Sequence, residues 1–159
     1  MKDLLRKRLG VPGDRLRRRL VICALLVTPA LLTGACSSQP EVPSARELLT
    51  SKTWKAEDIN GRGVVDFSHT TLEFSGRDKA GGDSGCNRYN TTVTFTEGDR
   101  LQFGPVSSTK KGCAPALMNQ ETDFFAALAA ARRYTLDSEI LMLYDEQANP
   151  LLRFSAFIK

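Results

Sequence analysis

The spacing of apolar residues changes period once along the folded part of this chain. From residue 53 to residue 103, apolar and polar side chains alternate with the period of two that is typical of strands with one buried face. The alternating stretches are TWKAEDI (53–59), TTLEF (70–74), YNTTVTF (89–95) and RLQF (100–103). A helical stretch follows, and EILMLYD (139–145) and PLLRFSAF (150–157) then end the chain. The pattern predicts an α+β fold with an antiparallel meander, one amphipathic helix and a closing hairpin.

The helical stretch covers residues 115–134 and begins at Pro115, a residue type that favours the first turn of a helix. The residues at helical spacing along it are Leu117, Met118, Glu121, Phe124, Phe125 and Leu128. We expect Leu117, Phe124, Phe125 and Leu128 to be buried against the strands. Arg132 and Arg133 are predicted in the last turn, where cations interact favourably with the helix dipole.

The basic residues of the chain are concentrated at its amino terminus. Eight of the 22 Lys and Arg residues, but only two of the 18 acidic residues, precede residue 20. From residue 36 onward, 14 basic residues face 16 acidic residues, so this part carries a charge of about −2. A nucleic-acid partner is therefore not expected, because the folded part lacks the positive charge that phosphate binding requires.

The amino-terminal residues have the three parts of an export signal: a basic segment, the apolar run LVICALLVTPALL (20–32) and small residues before Cys36. The sequence LLTGAC matches the bacterial lipobox, in which cleavage occurs before a lipid-modified cysteine. We predict a lipoprotein signal peptide at 1–35, lipidation of Cys36, a polar tether at 36–49 and a folded domain at 50–159. The protein would then be exported and anchored to the cell membrane on its extracytoplasmic side. The alternative is ordinary cleavage near Ala35, and RRRLV (17–21) leaves both Sec and twin-arginine export open.

Cys86 and Cys113 are the two cysteines that remain after Cys23 leaves with the signal peptide and Cys36 takes the lipid. Two cysteines in one small exported domain predict a disulfide, with two buried thiols as the alternative. A metal site is not expected, because the chain has one histidine, His69, and no C-x-x-C pair.

The letters GDSG (82–85) resemble the nucleophile loop of chymotrypsin-like serine proteases. Such a nucleophile needs a histidine base and an orienting acid. The one histidine, His69, precedes Ser84 closely, and the mature chain is too short for two β-barrels. We therefore predict a protein that is not an enzyme and has no cofactor, and the neighbouring Asp145 and Glu146 are interpreted as a solvated turn.

Five pieces of the sequence together resemble one family. They are Trp54 with INGRG after it, GCNRYN (85–90), TKKGC (109–113), ETDFFAAL (121–128) and YTLDSEILMLYD (134–145). In order and spacing they are similar to the META domain, the family of heat-shock protein HslJ. The residues that match are Trp54, Gly85, Asn87, Arg88, Thr109 and Glu121. Lys111 stands where the family usually carries Met. The resemblance implies an antiparallel β half-barrel with one helix packed against it, in an envelope protein.

The resemblance implies a non-catalytic envelope lipoprotein with a stress-related binding or interaction role. Its partners would be the membrane, through the lipid anchor, and an envelope protein or peptide. The alternative is a pilotin-like or chaperone-like protein that holds a peptide or acyl chain in the half-barrel. That alternative requires uncovered apolar side chains on the concave face, among Phe74, Phe95, Phe103, Leu143 and Phe154. A third possibility, an enzyme, requires a pocket with converging polar groups.

Overall fold

The computed structural model describes residues 44–157. The predicted signal peptide lies outside these residues. The same holds for Cys36 and the rest of the predicted tether up to residue 43. The helices are α1 (Ala45–Thr50) and α2 (Pro115–Ala130). The strands are β1 (Thr53–Ile59), β2 (Arg62–Gly63), β3 (Thr71–Ser75), β4 (Lys79–Asp83), β5 (Arg88–Phe95), β6 (Leu101–Phe103), β7 (Ser107–Ser108), β8 (Arg133–Asp137), β9 (Ile140–Tyr144) and β10 (Pro150–Phe157).

The strands form one antiparallel sheet in the order β6-β5-β4-β3-β1-β10-β9-β8, with β2 beside β1 and β7 beside β5. The sheet curls into a nearly closed half-barrel, with α2 packed against it. The α+β class and the half-barrel are therefore confirmed. β1 lies in the middle of this order, between β3 and β10.

The two ends of the sheet meet where β6 approaches β8. Arg100 and Arg133 form an isolated antiparallel bridge, and the Tyr134 amide donates to the Asp99 carbonyl at 2.8 Å. Two exposed ion pairs flank this seam, Arg133 with Asp99 at 2.8 Å and Arg100 with Glu146 at 3.0 Å. The arginine hydrogen bonds lower the pKa of the Asp99 and Glu146 carboxyl groups. Because few hydrogen bonds join β6 to β8, the half-barrel stays short of full closure.

Alternation along β5 places its apolar face inside the half-barrel, as the sequence pattern predicts. Tyr89, Thr91 and Val93 are buried, and Phe95 is half-buried at the end of the strand. Burial raises the pKa of the Tyr89 phenol, which therefore stays protonated and donates to the Thr71 carbonyl at 2.8 Å.

The amino-terminal helix α1 is a feature that the sequence analysis missed, since residues 45–49 were placed in the polar tether. Ser44 and Glu47 form a capping box, in which each side chain accepts a hydrogen bond from the other residue's backbone amide. Leu49 is fully buried, and its carbonyl accepts a 2.8 Å hydrogen bond from the indole Nε1 of buried Trp54. α1 therefore belongs to the folded unit and is fixed to the centre of the core.

Helix α2 begins at Pro115 as predicted but ends at Ala130, so the predicted end at residue 134 is wrong. The backbone becomes extended at Ala131, and Arg133 is the first residue of β8 instead of a residue of the last helical turn. The helix dipole prediction for Arg132 and Arg133 is therefore wrong, although the Arg132 guanidinium donates to the Ala129 carbonyl at 2.8 Å. The helix ends early because the residues after it form β8, which reaches β6 at the seam as an extended strand.

The buried face of α2 is narrower than predicted. Phe124 and Leu128 are fully buried, as expected, whereas Leu117 and Phe125 are half-buried. Leu117 lies in the first turn of the helix, and the ring of Phe125 packs on Tyr89 with centroids 5.4 Å apart.

The interior of the half-barrel is filled by its own side chains. Of the five residues predicted as a possible uncovered apolar face, four are buried and the fifth is half-buried: Phe74, Phe103, Leu143, Phe154 and Phe95. The alternative of a peptide or acyl chain held in the half-barrel requires an uncovered apolar surface on the concave side. Residues 44–157 leave no such surface uncovered.

Candidate functional site

Asn87 is the centre of a buried hydrogen-bond network at the turn between β4 and β5. Its side-chain oxygen accepts from the Thr109 hydroxyl at 2.7 Å and from the Lys111 amide at 2.8 Å. Its side-chain nitrogen donates to the Glu121 carboxylate on α2 at 3.1 Å. This Asn87 network connects the turn, the segment before α2 and the helix itself. Because Lys111 takes part through its backbone, the side chain at this position is free to differ.

Ser84, the serine of the GDSG sequence, also belongs to the Asn87 network. It is fully buried, and its hydroxyl accepts from the Asn87 amide at 2.9 Å and contacts the Glu121 carboxylate. No imidazole is a hydrogen-bond partner of Ser84 among the described residues, and His69 is exposed. The serine therefore stabilises the turn.

A disulfide joins Cys86 to Cys113 beside the Asn87 network, with their Cα atoms 6.0 Å apart. Cys86 lies in the turn after β4, and Cys113 precedes the first residue of α2 by two positions. The crosslink therefore connects the entrance of α2 to the sheet.

Gln120 is a buried polar residue of α2 that the sequence analysis missed. Its side-chain oxygen accepts from the Val65 amide at 2.6 Å, and its nitrogen donates to the hydroxyls of Thr70 at 2.9 Å and Ser68 at 3.2 Å. A Cβ atom at Gly85, which has a φ of +91°, would lie 3.1 Å from the Gln120 nitrogen, so glycine permits this close packing. The sequence does indicate that Gln120 faces the core, because it lies four residues before Phe124 and therefore on the same, apolar face of the helix.

The Phe67 loop, residues 64–69, carries an aromatic side chain that is 98% exposed. Phe67 has a φ of +60°, a left-handed conformation that is uncommon for a bulky residue. Gln120 fixes the loop on both sides of this residue, through Val65 and Ser68. The loop therefore displays an exposed aromatic side chain on a restrained backbone.

A groove separates the Phe67 loop from the start of α2. It has a volume of about 500 Å³, and residues 65–69 form one wall. Gly85, Cys86 and the first turn of α2, with Ala116 and Leu117, form the opposite side. We call this feature the loop-helix groove. Covalent and hydrogen bonds restrain both sides, through the Cys86–Cys113 disulfide and through Gln120.

The family model of the META domain matches residues 47–157. This chain belongs to the META domain family.

The META fold is also similar to two solved structures. An NMR structure of a protein from Burkholderia xenovorans is 24% identical, with a TM-score of 0.59 over 78% of this chain and 97% of that chain. A crystal structure of a DUF4847 family protein from Bacteroides vulgatus is 16% identical, with a TM-score of 0.53 over 70% of this chain and 96% of that chain. No curated protein matches the chain.

The residues on which the predicted resemblance rests separate into two groups. Gly85, Asn87, Thr109 and Glu121 meet at the network and at its contact with α2. Trp54 lies elsewhere in the core, and Arg88 is exposed and joins Thr109 only through its carbonyl, at 3.0 Å. Most of these residues thus have structural roles in the buried network or in the core of this META domain.

Residues 44–157 contain no group of three or more His, Cys, Asp or Glu residues that could hold a metal ion in this META domain. Every buried polar side-chain atom among them has a hydrogen-bond partner. Neither helix in this region is long and apolar enough to cross a membrane.

Proposed function

We propose that this META domain protein is a non-catalytic, lipid-anchored protein of the cell envelope, and that its domain binds another protein or a peptide through the Phe67 loop. The single observation that carries the binding proposal is the 98% exposure of Phe67 on a loop fixed by Gln120. Removing a large aromatic surface from water favours association, and a restrained loop loses little conformational entropy when it binds. A role under stress is a further part of the proposal, based on the family resemblance.

Two observations support a non-catalytic protein. The hydroxyl of Ser84 is enclosed in the Asn87 network, where no substrate could reach it. The imidazole of His69 is exposed and forms no hydrogen bond or ion pair within residues 44–157. A general base without an orienting partner is poorly placed for catalysis.

Anchorage is tested by the replacement Cys36→Ala. Without the thiol no diacylglycerol can be attached, so we expect the protein to leave the membrane fraction or to accumulate as an uncut precursor. Membrane fractionation and intact mass measure both outcomes. Cys23→Ala is the matched control, because Cys23 lies within the predicted signal peptide and should leave the mature protein unchanged. Normal processing and membrane retention of the Cys36→Ala protein would contradict anchorage.

Binding through the Phe67 loop is tested with a photo-reactive phenylalanine derivative at position 67 in intact cells. We expect a discrete crosslinked species, because the side chain would contact the partner directly. The same derivative at Phe157, which is 38% exposed on β10, is the control and should give no such species. Equal crosslinking at both positions, or none at position 67, would refute the proposed binding surface.

A further inference from the structure

The loop-helix groove has an unequal distribution of charge. Asp66 and Asp83 are among the residues that line it, and the lining contains no Lys or Arg. None of the four ion pairs among the described residues includes either aspartate. Asp83 accepts a 2.8 Å hydrogen bond from the Gly85 amide, which orients its carboxylate at the end of β4. The groove therefore presents two carboxylates that lack a cationic partner.

The rest of the lining combines apolar side chains with Ser68 and His69. Val65 and Phe67 come from the loop, and Ala114, Ala116 and half-buried Leu117 come from the start of α2. A groove of about 500 Å³ accommodates one or two aliphatic side chains of an extended peptide. Phe67 stands beside it as an exposed aromatic of the kind that dominates binding energy at interfaces.

We propose that the loop-helix groove binds a peptide segment in which an aliphatic residue stands next to Lys or Arg. The aliphatic side chain would fill the apolar part of the groove, the cation would pair with Asp66 and Asp83, and the segment would pack on Phe67. The segment belongs to another envelope protein, so this inference rests on the proposed binding function. Charge complementarity selects this occupant, because two unpaired carboxylates repel an anionic lipid surface.

The direct test measures the binding of three fluorescent nonapeptides to the purified full-length protein in detergent. The first alternates Leu and Lys, the second alternates Leu and Glu, and the third alternates Ser and Lys. Fluorescence anisotropy should show the tightest binding for the Leu/Lys peptide, which alone supplies both features. Equal binding of the Leu/Glu or the Ser/Lys peptide, or no binding of the Leu/Lys peptide, would overturn the inference.

Four variants locate the site. Phe67→Ser should weaken binding of the Leu/Lys peptide about tenfold or more, as loss of an aromatic anchor does. The double variant Asp66→Asn, Asp83→Asn should weaken it roughly three- to tenfold, with a smaller effect at high salt, since exposed charge pairs are weak and screened. Phe157→Ser and Asp137→Asn are matched controls on exposed residues outside the groove and should change nothing. Unchanged binding in the groove variants, or equal losses in the controls, would overturn the assignment.

Two other occupants of the groove would give different results with the same proteins and variants. A second copy in the groove would appear as self-association that Phe67→Ser abolishes, and an anionic lipid surface would appear as Phe67-dependent flotation with phosphatidylglycerol vesicles. Either outcome would overturn the peptide assignment. Peptide binding is also measured with the Cys36→Ala protein, which cannot carry the lipid. This measurement tests the groove separately from membrane anchorage.

Discussion

Phe124→Ala is expected to lower the free energy of unfolding by about 3 to 5 kcal/mol, the range for a large aromatic residue removed from a packed core. Phe124 is fully buried, and its ring packs on Tyr89 at 5.5 Å, Phe125 at 5.9 Å and Phe154 at 6.4 Å between centroids. These contacts come from α2, β5 and β10, so the shortened side chain would leave a cavity at the junction of helix and sheet. Urea denaturation monitored by circular dichroism measures the change.

Phe125→Ala is the matched control for this prediction. Phe125 is the next residue of α2 but is only half-buried, so less apolar surface is lost and less cavity is left. We expect a clearly smaller destabilisation than for Phe124→Ala. Equal losses in the two variants, or a Phe124→Ala midpoint that barely moves, would show that the assignment of the buried helix face is wrong.

Removal of the Cys86–Cys113 disulfide is expected to cost about 3 kcal/mol, because the crosslink restricts the unfolded chain. The two cysteines are 27 residues apart in sequence, and the bond closes the connection that leads from β5 past β6 and β7 to α2. The double variant Cys86→Ser, Cys113→Ser should therefore melt at a lower temperature than the wild type. Calorimetry under non-reducing conditions measures the difference.

The wild type in reducing agent provides the control for the cysteine variants. It should approach the stability of the double variant, since both lack the crosslink. Mass spectrometry of peptides from protein purified from the envelope should find Cys86 and Cys113 joined. Two freely alkylated thiols there, or no gain in stability from the oxidised form, would contradict the prediction.

Much of the fold was predictable because burial on one face of a strand imposes a period of two. β1, β3, β5 and β6 closely follow the stretches that alternate in sequence. α1 was missed because it is only six residues long, and its capping residues, Ser44 and Glu47, lie in a polar segment. The end of α2 was misplaced because the seam with β6 overrides the local helix preference of the residues after Ala130.

The candidate site was less predictable than the fold. The resemblance to the META domain identified Asn87 and Glu121, which form a structural network instead of a binding surface. The exposure of Phe67 depends on how Gln120 of α2 meets a loop about 50 residues earlier in the chain. Local sequence patterns carry no information on such a contact, so an aromatic residue in a strand-like region would ordinarily be assigned to the core.

The position of β1 determines how the domain would respond to mechanical force. The chain ahead of Ser44 enters the domain through α1, and β1 follows directly, with β3 on one side and β10 on the other. Its hydrogen bonds to both neighbours run across the strand, so tension along β1 loads many of them together in shear. A pull on the amino-terminal side, with the domain held near the opposite end of β1, would therefore load the pairs with both neighbours together. A pull on both chain ends would instead open the β1–β10 pair from one end, because Thr53 pairs with Phe157.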